Sequence, residues 1–211
     1  MRSLGSYWND RFSNEGMIWG QEPSKTVYRA IQLFQDNDVK KVLVPGSGYG
    51  RNTKALSAHF QVDGIEISQD AVQMANNWDP DSHFILGSVL DQVTLNKYDA
   101  IYCFDVLHLF LKQDRKKLIQ HCVQYLKDNG LMYFTCFSDE DVNNGVGSQI
   151  EAGTFEYVKG KYAHFFTEED LIRHFDGLQV IETGTTHENL TYKDNKSKEY
   201  MLRYIVVKKG G

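Results

Sequence analysis

The sequence has 211 residues, of which 41% are hydrophobic and 24% are charged, and its formal net charge is -5. A chain of this length buries a sizeable core as one domain. The acidic balance argues against a broad nucleic-acid-binding surface, so no nucleic-acid partner is expected.

Cysteine usage and hydropathy indicate the cellular compartment. Cys103, Cys122 and Cys136 lie in apolar or amphipathic surroundings and form no CxxC pair, which is typical of a reducing compartment. The first residues lack an apolar signal core, and no run of about 18 apolar residues occurs. We therefore expect a cytoplasmic protein without a membrane partner.

The predicted elements begin with an N-terminal segment, residues 1–38. Its first half, which includes YWNDRF and IWG, is aromatic-rich and is predicted to be irregular. Its second half, from Pro23, resembles a helix with proline near the first turn. We interpret residues 1–38 as a lid and helix segment.

From Lys40 onward, short apolar runs alternate with longer segments of helical period. Five strands are predicted at 42–44, 62–67, 83–86, 99–104 and 130–137. Helical spacing occurs at 52–60, 68–78 and 113–127. The alternation predicts an α/β fold with a mostly parallel sheet.

The end of the chain predicts a closing hairpin. A helix-start signal at Thr167 to Asp170 precedes two apolar stretches, 178–187 and 198–209, and the polar stretch 188–197 between them is predicted as the turn. The whole chain, residues 1–211, is then a single domain. Its sheet is predicted to be doubly wound, Rossmann-like and seven-stranded, with an antiparallel last strand pair.

A glycine-rich turn, PGSGYGRN, follows the first predicted strand. Its glycines are Gly46, Gly48 and Gly50, whereas the dinucleotide fingerprint G-x-G-x-x-G requires its third glycine at the position of Arg51. A purely structural turn is the other interpretation. The spacing therefore disfavours a dinucleotide and leaves a different small ligand or a plain turn.

An acidic residue ends the second predicted strand. Glu66 follows Gly46 by about 20 residues, where a carboxylate can accept both hydroxyls of a ribose. Ile67 beside it offers an apolar flank for an adenine. The alternative is that Glu66 caps the helix that starts near Ser68.

The GxGxG turn resembles motif I of the class I S-adenosylmethionine-dependent methyltransferases. The stretch after the third strand, LGSVLDQ, is similar to the segment that contacts adenine in that family, although Ser88 stands where an acid is frequent. The resemblance implies S-adenosylmethionine as the cofactor. It also implies a cofactor-binding set of Trp19, Gly46, Ser47, Gly48, Gly50, Arg51, Asn52, Glu66, Ile67, Ser88, Val89, Leu90 and Phe104.

The stretch YDAIYCFDVLHLF resembles motif IV of the same family, in which a strand ends beside the methyl group. It places Asp105 and His108 at the carboxyl edge of a central strand, where open α/β sheets bind ligands. His108 is the first candidate for a general base and Asp105 is the second. The alternative is that His108 is a partly buried residue at a helix start.

YWNDRF followed by IWGQEPS resembles the entry segment of small methyltransferases of the tellurite-resistance and thiopurine group. That likeness implies a small-molecule acceptor with a sulfur, nitrogen or oxygen nucleophile, in detoxification or biosynthesis. The insertion 139–165 is long for a plain connection, so we expect it over the site, although a surface ribbon is the alternative. The predicted acceptor-side residues are Tyr7, Trp8, Tyr49, His108, Phe155, Tyr157 and His164.

The sequence is compatible with two other functions. An NAD-dependent oxidoreductase would share the fold, but YVKGK (157–161) is one residue too long for a Tyr-x-x-x-Lys pair. A non-catalytic S-adenosylmethionine-binding protein would keep Gly46 and Glu66. Product formation from thiols, amines and carboxylates distinguishes an enzyme from such a non-catalytic binding protein.

Other polar groups suggest no further partner. The adjacent pairs His121-Cys122 and His187-Glu188 point to different sides of their elements, so no metal is expected. The basic run at 115–117 is interpreted as a solvated helix face. We expect a monomer or a homodimer.

Overall fold

The computed structural model describes residues 4–158, 160–192 and 197–211. Its helices are α1 (Leu4–Glu15), α2 (Lys25–Asp36), α3 (Thr53–Ser57), α4 (Gln69–Trp78), α5 (Lys112–Tyr125) and α6 (Glu168–His174). Its strands are β1 (Lys41–Pro45), β2 (Gln61–Glu66), β3 (His83–Leu86), β4 (Tyr98–Cys103), β5 (Leu126–Phe137), β6 (Ser148–Glu151), β7 (Thr154–Val158), β8 (Lys161–His164), β9 (Gln179–Thr191) and β10 (Ser197–Lys208).

The main sheet has seven strands in the order β3-β2-β1-β4-β5-β10-β9. The first five strands of this order pair in parallel. β10 runs antiparallel to both β5 and β9. The predicted doubly wound, mostly parallel sheet with an antiparallel last strand pair is therefore confirmed.

The strand order reverses between β1 and β4, which are hydrogen-bonded neighbours although β2 and β3 separate them in sequence. Connections leave β1 and β4 toward opposite sides of the sheet at this point. A crevice forms at the carboxyl ends of strands where the order switches. The fold therefore places the loops after β1 and β4 around one opening.

Helices cover both faces of the sheet because the central strands are apolar on both. Leu43 and Ile101 point to one face, where α5 and α6 pack. Val42 and Ala100 point to the other, where α2 and α3 pack. Side chains alternate along a strand, so neighbouring residues of β1 enter different core layers.

The N-terminal segment contains a helix where the sequence predicted irregular structure. In α1, Trp8 and Phe12 are four residues apart, and their rings stack at 5.8 Å between centroids. Phe12 also meets the ring of Tyr49, in the glycine turn, edge-on at 6.0 Å. The sequence signal failed because the helix is stabilised by tertiary contacts, which local composition does not report.

The closing hairpin is longer than predicted. Glu188 pairs with Tyr200 and Thr191 with Ser197, so 188–191 belong to β9 although their composition favours a turn. The remainder of the predicted turn includes 193–196, which lie outside the described residues. Cross-strand pairing thus overrides local propensity here.

The insertion 139–165 contains a second, three-stranded antiparallel sheet with the order β6-β7-β8. A bridge between Ser138 and Phe166 joins the two ends of the insertion. Lys159, within the YVKGK stretch, lies outside the described residues. Nowhere in the described ranges is a helix both long and apolar enough to cross a membrane.

The basic run at 115–117 is not uniformly solvated. Lys116 and Lys117 are exposed, but Arg115 is only 2% exposed, and its Nη1 lies 2.8 Å from Glu151 Oε1 of β6. The interpretation as a solvated helix face is therefore wrong for Arg115. The reason is that the insertion folds back over α5 and supplies a carboxylate.

Candidate active site

A cleft of about 280 Å³ opens at the switch point, between the loops after β1, β2, β3 and β4. Residues from the N-terminal segment, the insertion and the closing hairpin complete its walls. Most residues predicted for the site line it: Trp8, Trp19, Gly46, Ser47, Gly48, Tyr49, Arg51, Asn52, Glu66, Ile67, Ser88, Val89, Leu90, Phe104, Asp105, His108 and Tyr157.

The glycine turn brings backbone to the cleft, and a side chain would have no room at Gly46. Gly46 and Gly48 have positive φ of 67° and 56°, which glycine adopts without steric cost. A Cβ on Gly46 would lie 2.4 Å from Cγ2 of Val106, in the turn after β4. The loops after β1 and β4 therefore pack directly against each other.

Glu66 ends β2 with its carboxylate at the cleft. Its Oε2 accepts a hydrogen bond from the Gly48 backbone N–H at 2.9 Å, and its Oε1 accepts one from the Ser68 N–H at 2.8 Å. Burial raises the pKa of Glu66, and these hydrogen bonds oppose that increase. Glu66 thus accepts a hydrogen bond at the helix start, as the interpretation as a helix cap expects. It also lines the cleft, as a ribose-binding carboxylate would have to.

Asp105 follows β4 in a left-handed backbone conformation, with φ of 55°. Its Oδ1 accepts a hydrogen bond from Thr135 Oγ1 at 2.8 Å, and its N–H donates to the same hydroxyl at 3.0 Å. Burial raises the pKa of Asp105 to about 7, while the Thr135 hydrogen bond acts against this shift. The side chain can therefore bind or release a proton near neutral pH.

His108 lies in a short 3-10 turn, Leu107–Leu109, and its ring stacks on Phe137 with centroids 3.8 Å apart. Burial lowers the pKa of His108 to about 3, and the charge of His164 contributes in the same direction. Its Nδ1 is buried and has no hydrogen-bond partner among the described residues. His108 is therefore a neutral imidazole at the cleft with an unused polar atom.

Aromatic rings form the wall beyond Asp105 and His108. Phe137 stacks on Tyr200 at 5.4 Å between centroids, and the Tyr200 hydroxyl lies 2.8 Å from that of Tyr192. Tyr157 of the insertion lines the same end. This end of the cleft offers flat apolar surfaces with phenol hydroxyls at their edges.

The N-terminal segment is attached to the glycine turn at two places. The Tyr49 hydroxyl donates to the Gly20 carbonyl at 2.7 Å and accepts from the Trp19 N–H at 3.2 Å. The Ser24 N–H donates to Asn52 Oδ1 at 2.9 Å. Burial raises the pKa of Tyr49 to about 12, so the phenol stays neutral in these contacts.

A buried carboxylate of β9 joins the same region. Glu188 Oε2 accepts a hydrogen bond from the Ser24 hydroxyl at 2.8 Å, and its Oε1 lies 3.6 Å from Nη2 of Arg51. The Arg51 guanidinium also lies 5.4 Å from the centre of the Phe104 ring. Arg51 lines the cleft with its charge compensated by Glu188.

Four predicted site residues lie away from the cleft lining. Gly50 packs against α4, where a Cβ would lie 3.5 Å from Ala75. The Tyr7 hydroxyl accepts a hydrogen bond from Arg11, and Phe155 packs against Phe165.

His164 is the fourth of these residues. Its Nδ1 is 2.7 Å from Thr154 Oγ1 and its Nε2 is 2.7 Å from Asp170 Oδ2, so both ring nitrogens have partners inside the fold. The structure thus places His164 in a polar network that joins β7, β8 and α6. Neither ring nitrogen is left free to bind an acceptor.

Several cleft residues were not predicted. Arg11 and Phe12 follow Trp8 by three and four residues, so a helix over YWNDRF would have placed them on the same face. No local signal marks the remaining ones, which come from distant elements. They are Val44, Val106, Leu109, Phe110, Asp114, Phe137, Leu190, Tyr192 and Tyr200.

Potential metal ligands do not gather in the described ranges. No group of three or more His, Cys, Asp or Glu side chains is placed there to hold a metal ion. Cys103, Cys122 and Cys136 are buried and free.

Comparison with known proteins identifies the chemistry. Residues 43–134 match the family described as a methyltransferase domain. The phosphoethanolamine N-methyltransferase of Plasmodium falciparum is 28% identical over 218 aligned residues, which cover 86% of this chain and 79% of that protein.

TehB and NodS are two of the solved structures that have a similar fold. TehB from Haemophilus influenzae superimposes with a TM-score of 0.67 at 16% identity, covering 96% of this chain and 67% of that one. The N-methyltransferase NodS from Bradyrhizobium japonicum, solved with S-adenosyl-L-homocysteine, has a TM-score of 0.64 at 15% identity and covers 88% of this chain and 85% of its own.

The matched segment 43–134 runs from β1 through the glycine turn, Glu66 and Asp105 into β5, so it contains the switch point and most of the cleft floor. This match favours a methyltransferase over an NAD-dependent oxidoreductase, as the position of Arg51 already indicated. With this domain on a seven-stranded methyltransferase fold, the protein is an S-adenosylmethionine-dependent methyltransferase.

Proposed function

We propose that the enzyme transfers the methyl group of S-adenosylmethionine to an amine nitrogen of a small acceptor. The observation that carries this proposal is the convergence of the glycine turn, Glu66, Asp105 and His108 on one cleft with an aromatic end.

The glycine-turn half of the cleft fits the cofactor. Each Glu66 oxygen accepts one backbone hydrogen bond and keeps capacity to accept a ribose hydroxyl. Ile67, Val89 and Leu90 supply apolar surface for adenine, and Ser88 lies beside them. The backbone of the turn at Gly46 and Gly48, which line the cleft, would hold the amino-acid part.

The other half fits an amine. Asp105 and His108 present hydrogen-bond acceptors, which suit the N–H groups of an amine. The aromatic wall of Phe137, Tyr157 and Tyr200 favours the positive charge that a methylated amine carries. Two similar proteins, the Plasmodium enzyme and NodS, are named as N-methyltransferases, which supports the same nucleophile.

When bound, S-adenosylmethionine supplies a methyl group on a positively charged sulfur, and the protein aligns the acceptor with it. An ammonium must lose a proton before it can attack. Asp105, with a pKa of about 7, is suited to take this proton. His108, with a pKa of about 3, is suited to orient the acceptor while staying neutral.

Residues 1–38 and the insertion 139–165 are proposed to exclude water from the reaction. Trp8 and Trp19 of the first segment and Tyr157 of the second line the cleft from above its floor. A dry site strengthens the electrostatic contacts of Asp105.

Calorimetric titration with S-adenosylhomocysteine tests the cofactor half. We expect binding to the wild type and at least about 10-fold weaker binding to Glu66→Gln, because an amide loses the charged acceptor for ribose. The control is Asp128→Asn, an exposed carboxylate paired with Lys209 near the end of the chain. Equal binding by all three proteins, or binding of NADH alone, contradicts the proposal.

A panel of amines, thiols and carboxylates tests the acceptor half by mass spectrometry of the products. Methylated amines are the expected products, and their formation depends on Asp105. Methylation confined to thiols or carboxylates would reject the amine assignment. Cofactor binding without product across the panel would favour a non-catalytic protein.

A further inference from the structure

Arg11 is a cationic side chain of the cleft that the proposed chemistry does not use. It lies on α1, and its guanidinium carbon is 5.9 Å from the centre of the Trp8 ring and 5.8 Å from that of Trp19. Trp19 in turn stacks on Tyr49 of the glycine turn, with centroids 6.3 Å apart. Arg11 therefore lies beside the glycine-turn half of the cleft.

The hydrogen-bonding capacity of Arg11 is largely unused. Nη1 donates to the Tyr7 hydroxyl at 3.2 Å, whereas Nε is buried and has no hydrogen-bond partner among the described residues. Glu15 Oε1 lies 3.4 Å from Nε, but the Glu15 side chain is 49% exposed. A half-exposed carboxylate is solvated and held less firmly than a buried one, so Glu15 is an easily replaced partner.

Arg51, the other arginine that lines the cleft, is in a different state. Its partner Glu188 is buried, with a side chain only 5% exposed, and is held in place by Ser24. A buried carboxylate that also accepts a hydrogen bond from Ser24 compensates the charge of Arg51 in the folded protein. Arg11, with 20% of its side chain exposed, therefore carries the available positive charge in the described part of the cleft.

A second cationic side chain, that of Lys161, lies near Arg11. Lys161 Nζ of β8 is 4.5 Å from the centre of the Tyr7 ring, whose hydroxyl is the partner of Arg11. Burial raises the pKa of Tyr157, another cleft residue, and the positive charge of Arg11 opposes this increase. Positive charge and phenol hydroxyls together favour an oxyanion at this point.

We infer that Arg11 is the oxyanion anchor of the cleft and binds a carboxylate or phosphate through its free N–H groups. A guanidinium binds both groups through paired hydrogen bonds. Two sources carry such a group: the carboxylate of the cofactor, in which case the inference rests on the proposed function, and a phosphate on the acceptor.

The test is calorimetry on wild type, Arg11→Gln and Arg11→Lys. S-adenosylhomocysteine carries the carboxylate, and 5′-methylthioadenosine lacks the whole amino-acid part. For an acceptor phosphate, the corresponding pair is O-phosphoethanolamine, which has the phosphate, and ethanolamine, which lacks it. Both are titrated into protein saturated with 5′-methylthioadenosine. We expect Arg11→Gln to weaken one of the two ligands that carry an oxyanion, S-adenosylhomocysteine or O-phosphoethanolamine, by roughly 10- to 100-fold and to leave unchanged the binding of its counterpart, which lacks that group.

The affected ligand identifies the source, and Arg11→Lys should restore part of the affinity because it keeps the charge. Arg29→Gln is the matched control, since Arg29 lies 4.7 Å from the centre of the Tyr204 ring and pairs with Glu182 outside the cleft. If Arg11→Gln weakened a ligand with the oxyanion and its counterpart without it equally, Arg11 would only support the packing of the tryptophans. Unchanged binding of all four ligands would also overturn the inference. Failure of the wild type to bind S-adenosylhomocysteine rejects the proposed cofactor site and leaves the phosphate comparison to decide.

Discussion

Gly46 and Asp105 hold left-handed backbone conformations at the ends of neighbouring strands, with φ of 67° and 55°. Glycine accepts this conformation freely, whereas an aspartate adopts it at a cost of about 1–3 kcal/mol. Asp105 is held there by three hydrogen-bond contacts with Thr135, two from its own N–H and one to its carboxylate. The strain therefore lies at the residue that we assign to proton acceptance.

Gly46→Ala should reduce the free energy of unfolding by about 2–4 kcal/mol, because the new Cβ combines backbone strain with overpacking. The overpacking arises from the 2.4 Å approach to Val106 Cγ2. Urea denaturation of the purified variant measures the loss.

Gly177→Ala is the matched control for this prediction. Gly177 has φ of 84° but no atom within 4 Å of its virtual Cβ, so only the strain of about 1–2 kcal/mol is expected. Adding Val106→Ala to Gly46→Ala should recover part of the extra loss. Equal losses at Gly46 and Gly177 would show that the contact with Val106 relaxes freely.

Among the elements, α5 and the insertion are joined by Arg115. Its Nη1 donates to the Phe110 carbonyl at 2.6 Å and pairs with Glu151, and its Nε donates to His174 Nε2 at 3.1 Å. Glu151 also accepts the Lys112 N–H at 2.9 Å. One guanidinium thus links α5, β6, α6 and the turn that carries His108.

Arg115→Met should destabilise the protein by about 3–5 kcal/mol, because it leaves the partners of a buried charge unpaired. Lys116→Met is the matched control, since Lys116 is the exposed neighbour on the same helix. Urea denaturation measures both variants, and amide hydrogen exchange should show faster opening of 148–158 and 161–164 in Arg115→Met alone. Similar behaviour of the two variants would remove Arg115 as the link between these elements.

For the whole molecule, two cleft residues give opposite pH dependence of stability. The pKa of Asp105, about 7, lies above its ordinary value near 3.9, so its cost to stability is absent below about pH 4 and complete above about pH 7. The pKa of His108, about 3, lies below its ordinary value near 6.5, so stability is lost as pH falls from about 6.5 toward 3.

Single variants should expose each contribution. Relative to wild type, Asp105→Asn should gain stability as pH rises from about 4 to 7, and His108→Gln should gain stability as pH falls from about 6.5 to 4. Each difference should change by at most about 1.4 kcal/mol per pH unit, which corresponds to one proton. Urea denaturation across this range measures both, and differences that stay constant with pH would show that neither group has a shifted pKa.

The lining of the cleft was predictable where its signals are local in the chain. The glycine turn, Glu66 and Asp105 each follow an apolar run, and residues that follow parallel strands meet at one edge of the sheet. Arg11 was missed because α1 was expected to be irregular, and Tyr200 because it lies on a strand paired with distant residues. His164 was placed in the acceptor site because its partners, Thr154 and Asp170, cannot be recognised from spacing.

The sequence by itself determined the fold class, the order along the chain of the seven strands of the main sheet, and the edge of the sheet at which the cleft opens. These follow from periodicity and from glycine spacing, which act over a few residues. Only the tertiary structure decided which side chains are buried and paired. Burial and pairing set the link through Arg115 and the pKa values of Asp105 and His108, because these depend on residues far apart in the chain.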